Sequence, residues 1–329
     1  MRTLEYVRAA DAVEAVRLVS GDPKAAFLAG GTTQLDLMKD GVLDPGLLVD
    51  ITRLPLHGIE PHGEVLHVGS LVTMEELAAD LVVGARLPFV REALLAGAST
   101  QLRNMATIGG NLLQRPRCRY FRDPAVPQCN KRAPGSGCAA VAGTARMHAI
   151  LGVSERCIAA HASDLAVALV ALDAVVQIQG VSGRRAVPLT EFYRTAAESP
   201  ESENVLEHGE LITGVDIPLL PAGARSSYVK VRDRASYEFA LTSAAVALVV
   251  SDGMIVHARA GLGGVGSKPW RAWDVERELR GAPAVRGTFR RAAESAVLGA
   301  WTVPGTAFKV ELAKRTLVRA LETVAGVAA

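Results

Sequence analysis

Short apolar runs that end at glycines or polar residues punctuate the first half of the chain, and they predict an alternation of strands and helices. Residues 25–29 are apolar and run directly into Gly30-Gly31, which reads as a buried strand entering a glycine turn. Leu35, Leu37 and Met38 then fit a short helix. The runs 47–51 and 65–68 predict two more strands, and 74–80 predicts a helix with Thr73 as its N-cap. A stronger helix is expected over 88–98, with Pro88 in its first turn and Gly97 near its end. Later, Ser163-Asp164 can cap a helix running to Asp173, on which Leu165, Leu169 and Leu172 share a face. Strands follow at 175–178 and 211–217, then around 228–232 and 255–260, before two helices rich in Ala and Arg that reach the C-terminus. Between these groups, 218–223 contains Pro218, Pro221 and Gly223 and forms the best linker. The pattern predicts two α+β domains, 1–220 and 221–329, with no sequence repeat and no low-complexity segment.

Composition narrows the function classes. With 329 residues, 49% of them hydrophobic, the chain can bury one large or two ordinary cores, so disorder is excluded. A formal charge of +2 on 36 basic and 34 acidic residues gives no overall field suited to nucleic acid or an anionic membrane. Arg2, Glu5 and Arg8 interrupt the apolar run that a secretory signal requires, which predicts a soluble protein, cytoplasmic by its own sequence. Export to the periplasm would need a signal-bearing partner. The most apolar later stretch, 244–250, is far shorter than the roughly 18 residues that span a bilayer. No membrane insertion is expected.

The candidate chemistry lies in two glycine loops and one block of cysteines. Phe27-Leu28-Ala29-Gly30-Gly31-Thr32-Thr33-Gln34 offers backbone N–H groups without bulky side chains, together with hydroxyls, as a pyrophosphate requires. Alone, such a loop is as well explained by an ordinary turn. Thr107-Ile108-Gly109-Gly110-Asn111 has the same character, and two such loops can clasp one dinucleotide. By contrast, Gly261, Gly263 and Gly266 satisfy G-x-G-x-x-G, but Ser267-Lys268-Pro269-Trp270 follows them where a dinucleotide turn needs a helix. These glycines are therefore read as turns.

The chain has four cysteines, Cys118, Cys129, Cys138 and Cys157, all within one block of forty residues. Disulfides, structural zinc and an iron–sulfur cluster all remain open on spacing alone, because no C-x2-C pair is present. Between Arg115 and Arg156 there are eight basic residues against Asp123 and Glu155, an excess larger than that of the whole chain. That charge favours a net negative 4Fe-4S centre, although a zinc-stabilised protein using the basic block to bind nucleic acid is the rival of another class. His148 and His161 lie near the cysteines and are read as structural. No catalytic triad, carboxylate pair or H-E-x-x-H helix is present, so no catalytic residue is assigned.

The order of the two glycine loops and Ser163-Asp164-Leu165 resembles the FAD-binding subunits of the molybdenum hydroxylases, the xanthine dehydrogenase family, over essentially the whole chain. The segments Cys118-Arg119-Tyr120-Phe121-Arg122-Asp123, Cys129-Asn130-Lys131-Arg132, Gly135-Ser136-Gly137-Cys138 and Cys157-Ile158-Ala159 are similar to the bacterial aldehyde oxidoreductases that carry an extra 4Fe-4S cluster. The resemblance implies a vanillyl-alcohol-oxidase (PCMH) type FAD domain in two α+β subdomains, with the cluster in an insertion at about 115–160. A small α+β C-terminal domain of the carbon monoxide dehydrogenase flavoprotein type would follow. It further implies that 27–34 and 107–111 hold the pyrophosphate and ribityl regions of FAD. Asp164, Ile212 and Lys230 fall at other flavin-contacting positions, and Tyr237 or Phe239 is a candidate to flank the isoalloxazine. For Lys230 an ordinary surface cation is the competing reading.

The implied activity is electron transfer within a heterotrimer. A large subunit would oxidise an aldehyde with water to a carboxylic acid at a molybdenum cofactor, a small subunit would carry two 2Fe-2S clusters, and FAD would pass the electrons to an external acceptor. The FAD subunit of a 4-hydroxybenzoyl-CoA reductase is the alternative within the family.

Overall fold

The structure, a computed structural model, describes residues 3–327. The start of the N-terminal segment, Met1 and Arg2, and the last two residues, Ala328 and Ala329, lie outside the described residues. Three sheets organise the rest. The strands Glu5–Arg8, Leu47–Asp50 and Ala25–Leu28 form a parallel sheet in that spatial order. An antiparallel five-stranded sheet runs Ile59–His62, Val65–Gly69, Leu211–Pro218, Val175–Gly180, Gly183–Pro188. A four-stranded antiparallel sheet runs Trp270–Arg271, Met254–Gly263, Thr242–Ser251, Arg225–Val231.

Where local signals were strong, the elements form as expected. Thr73 caps Met74–Ala79 in a reciprocal box with Glu76, and Pro88 opens Pro88–Ala96. In the C-terminal part the apolar stretch 244–250, to which no element was assigned, is the middle of the long central strand Thr242–Ser251, and among the described residues three helices, not the two expected, follow the sheet: Trp273–Leu279, Arg286–Ser295 and Phe308–Ala325. The amphipathic face expected on the helix after Ser163 is absent for a physical reason. Every residue of Asp164–Ala171 is buried, because the helix packs between Pro88–Ala96 on one side and the C-terminal sheet on the other. A helix covered all round can be apolar all round.

Its packing also explains the rejected glycine motif. Gly261 and Gly263 are not turn residues but lie in the strand Met254–Gly263, directly under that helix. A Cβ on Gly261 would stand 2.6 Å from the Val167 carbonyl oxygen, and one on Gly263 would stand 2.6 Å from Val167 Cγ2. Missing side chains let helix and strand approach. Arg271 locks the same junction, donating to the Val170 carbonyl at 2.5 Å and pairing with Glu276 at 2.5 Å, with neither side chain appreciably exposed.

The strand Glu5–Arg8 escaped the sequence reading because its side chains are all exposed and leave no apolar signal. Asp50 ties it to the parallel sheet, accepting from Tyr6 Oη, from Arg8 Nε at 2.9 Å and from Thr52 N at 2.8 Å. Burial alone would raise the Asp50 carboxyl, but these hydrogen bonds outweigh it and hold the group well below the usual carboxylate range. A depressed folded-state pKa stabilises the protein above the ordinary carboxylate pKa, and that contribution is lost as the pH falls through and below it. Asp50→Asn should therefore lower urea stability at pH 7, on the order of 1–3 kcal/mol as for a hydrogen-bonded charged group. The gap to the unsubstituted protein should narrow between pH 5 and pH 3, and a constant gap over that range would refute this role.

Candidate functional site

The first glycine loop leaves the strand Ala25–Leu28 and turns through Gly31, whose φ of 72° suits glycine. Gly30 lies backbone to backbone against the segment that precedes the second loop, where a Cβ would fall 1.7 Å from the Met105 carbonyl oxygen. The second loop is a short helix, Ile108–Leu112, capped by Thr107 Oγ1, which accepts from Gly110 N at 3.2 Å. Its start is docked by Ile108 N on the Val72 carbonyl at 2.8 Å and Gly109 N on the Ser70 carbonyl at 2.9 Å. Backbone contacts thus bring together two loops distant in sequence.

Two adjoining cavities result. A cavity of about 200 Å³ is lined by Phe27, by 29–34, by Thr107, Gly109 and Gly110, and by Ile212. A cavity of about 510 Å³ is lined by Thr32, Thr33, Gly110, Asn111, Asp164 and Lys230 among others. Thr32, Thr33 and Gly110 border both, so an elongated ligand can cross between them at the glycine loops. Leu28 and Ile108 border neither, and Ile108 belongs to the main core. At the crossing, Thr33 precedes the helix Gln34–Lys39 without capping it by its side chain; Leu35 N donates to the Gly31 carbonyl at 2.9 Å, which leaves the N–H groups of Gln34 and Asp36 to face a ligand.

Lys230 is no surface cation. Its side chain is 5% exposed, and Nζ contacts Asp164 Oδ2 at 2.7 Å and the Ala96 carbonyl at 3.0 Å. Tyr228 Oη donates to the other Asp164 oxygen at 2.6 Å. Ser163, not Asp164, caps the helix, accepting from Ala166 N at 2.9 Å and donating to Asn111 Oδ1 at 2.5 Å. The carboxylate, not used in the cap, instead borders the cavity with one oxygen held by Lys230 and the other by Tyr228. Tyr237, in a left-handed conformation with φ 52°, and Phe239 both border the larger cavity.

Several wall residues were not legible in the sequence. Gly263 and Gly264 border the larger cavity, so the rejected glycine motif contributes to its wall without forming a phosphate turn. Arg117, Cys118, His148 and His161, from the cysteine block, border it as well.

All four cysteines are free and line one small pocket with a volume of about 20 Å³. Cys129 and Cys138 face each other across an antiparallel bridge, and Cys118 borders both this pocket and the larger cavity. Among the described residues no three His, Cys, Asp or Glu side chains converge to hold a single metal ion. Burial pushes the Cys118 thiol up to about 11 and raises that of Cys157.

The block is firmly anchored, and its positive charge is largely spent on that anchoring. Arg117 and Arg122 contact Asp36 at 2.8 and 2.7 Å, and Arg122 also reaches Asp40 at 2.9 Å. Arg115 and Lys131 share Glu203 at 2.9 and 3.0 Å, while Arg146 pairs with Asp233 at 2.6 Å. Arg132 donates to the carbonyls of Tyr120, Phe121 and Val126.

Comparison with known proteins decides the family. Residues 2–220 match the FAD binding domain in molybdopterin dehydrogenase, and residues 227–324 match the CO dehydrogenase flavoprotein C-terminal domain. The chain is an FAD-binding medium subunit of the molybdenum hydroxylase family. This FAD-binding subunit is 46% identical to the aldehyde oxidoreductase FAD-binding subunit PaoB of Escherichia coli, over 98% of each chain. It is 27% identical to the glyceraldehyde dehydrogenase medium chain of Sulfolobus acidocaldarius, over 84% of this chain and 80% of that one. The solved carbon monoxide dehydrogenase of Hydrogenophaga pseudoflava superposes with a TM-score of 0.78 at 25% identity, covering 100% of this chain and 99% of that one. The family is one of oxidoreductase subunits, and the α+β fold is the family's.

The adjoining cavities and the uncapped helix start fit an extended dinucleotide. Gly110 gives the sharpest test, because a Cβ there would meet within 4 Å only Thr107 Oγ1, at 3.0 Å. Gly110→Val should cut FAD content at least tenfold while the protein still folds. Gly287→Val, on an open helix face where a Cβ would meet only Arg291 at 4.0 Å, should retain FAD. Equal flavin in both variants, measured by absorbance after acid release, would refute the site. Gly263→Val is unsuitable as a control, since its side chain would press into Val167 and Ser243.

Proposed function

We propose that this chain holds FAD and one 4Fe-4S cluster and serves as the electron-transfer subunit of a molybdenum-dependent aldehyde oxidoreductase. The observation that carries this reading is the wall formed by Cys118, which borders the pocket of four thiols on one side and the cavity of the glycine loops on the other. A cube takes one thiolate at each of its four irons, so its ligands surround a shared space, whereas tetrahedral zinc draws four ligands to one point. Four cysteines around one pocket suit the former, and to admit the cube their side chains would spread outward from a space with room for about one water. Buried neutral thiols lose their protons on metal binding, and the ligated thiolates then no longer carry the cost of an isolated buried charge. The similarity to PaoB favours an aldehyde as the substrate of the assembly.

The residues assume distinct roles in this reading. Loops 27–34 and 107–111 hold the pyrophosphate and ribityl regions, through backbone N–H groups and the hydroxyls of Thr32, Thr33 and Thr107. Asp164 and Lys230 orient the flavin end, and Ile212 packs at the other. Tyr237 or Phe239 covers the isoalloxazine. The chain divides at the 220/221 linker into an FAD-binding domain and a small C-terminal domain. When bound, FAD would receive electrons from a molybdenum subunit through the 2Fe-2S clusters of a small subunit and pass them to an external acceptor. The working unit is then a heterotrimer. No helix among the described residues is long and apolar enough to cross a membrane.

Anaerobically purified chain should contain about four iron and four sulfide per FAD. Stoichiometric zinc without sulfide would overturn the cluster assignment. With cysteines for only one such cluster, the isolated chain should not react with aldehydes. Stopped-flow mixing with an aromatic aldehyde should bleach the flavin band of the heterotrimer and leave that of the isolated chain unchanged. Rapid bleaching in the isolated chain would make it a self-sufficient oxidase.

A further inference from the structure

Among the described residues, only one cysteine sulfur has a side-chain hydrogen-bond partner, and that partner is a histidine. His148 Nε2 lies 3.2 Å from Cys118 Sγ. The imidazole is 4% exposed, and its Nδ1 is buried without a hydrogen-bond partner. Like Cys118, His148 borders the larger cavity. A neutral imidazole carries a single N–H, on one ring nitrogen or the other. An anionic sulfur at Cys118 favours that proton on Nε2, because the opposite tautomer would set a nitrogen lone pair against a thiolate.

We propose that His148 is a positioning residue for the thiolate site, donating Nε2–H to the Cys118 sulfur and raising the reduction potential of the cluster bound there. The inference rests on the 4Fe-4S reading of the four cysteines. A hydrogen bond withdraws electron density from a ligating sulfur and favours the more negative, reduced form of the centre. Among the described residues, His148 is thus a side-chain donor placed at that sulfur alone. The asymmetry is informative. The thiolate given this extra bond is the one on the wall of the flavin cavity, where the potential of the cluster bears on electron exchange between the two sites.

The test uses pulsed EPR on full-length protein labelled with ¹⁵N-histidine, purified anaerobically and reduced with dithionite. Of seven histidines in the chain, His148 alone contacts a cysteine sulfur among the described residues, so the reduced cluster should show a ¹⁵N coupling. His148→Phe should lose the coupling and shift the midpoint potential downward, while His148→Gln, which retains an N–H donor, should recover part of that shift. An intact cluster without ¹⁵N coupling in the unsubstituted protein would overturn the role of His148 and leave the cluster reading standing. Absence of iron and sulfide in the unsubstituted protein would overturn both. If His148→Phe fails to assemble a cluster, the coupling in the unsubstituted protein still decides.

Discussion

The contact between Gly30 and the Met105 carbonyl leaves no room for a side chain, and the arrangement of the whole site follows from it. A Cβ 1.7 Å from that oxygen is impossible, so only glycine lets the first loop lie on the backbone leading into the second. The second loop is fixed in turn by its bonds to Ser70 and Val72, just beyond the strand Val65–Gly69 of the five-stranded sheet. Through these contacts the parallel sheet, the five-stranded sheet and the helix Asp164–Ala171 converge on Thr32, Thr33 and Gly110. Without that approach the two cavities would not meet, and a ligand as long as a dinucleotide could not lie across them.

The cysteine block is coupled to this centre by charge and by a shared wall. Its arginines reach Asp36 on, and Asp40 at the end of, the helix that follows the first glycine loop, and Glu203 and Asp233 elsewhere. A single exposed ion pair contributes about 0–1 kcal/mol, but Arg122 is only 14% exposed and joins two carboxylates to the Arg117 pair in a network. Arg117 also stacks on Phe239, with its guanidinium carbon 4.8 Å from the ring centroid. The block is therefore tied both to the loop that would hold pyrophosphate and to an aromatic at the mouth of the larger cavity.

How much of this was legible in the sequence depended on whether the signal was local. Gly30-Gly31, the Thr73 cap and the apolar run ending at Gly30 act within a few residues, and each reads directly. The four cysteines, close together in sequence, also line one pocket. The basic excess did not keep its apparent meaning, because Arg117 finds Asp36 from 81 positions away and Arg115 finds Glu203 from 88, and such pairings leave no pattern. The helix Asp164–Ala171 looked amphipathic from three leucines, since nothing local announces that sheet and helix will cover both its sides. Gly261 and Gly263 read as turns for the same reason: what they accommodate, the backbone and side chain of Val167, lies nearly a hundred residues away. The contact of His148 with Cys118, across 30 residues, was likewise invisible.

The central claim is that the thiol pocket and the glycine-loop cavity are two cofactor sites separated by one residue's thickness of protein. Anomalous diffraction from crystals of the anaerobically purified protein, recorded on both sides of the iron absorption edge, addresses it directly. The account predicts an iron peak among Cys118, Cys129, Cys138 and Cys157, and continuous flavin density crossing from one cavity to the other at Thr32, Thr33 and Gly110 on the far side of Cys118. A lone zinc peak, a disulfide among these cysteines, or flavin density away from the glycine loops would contradict it.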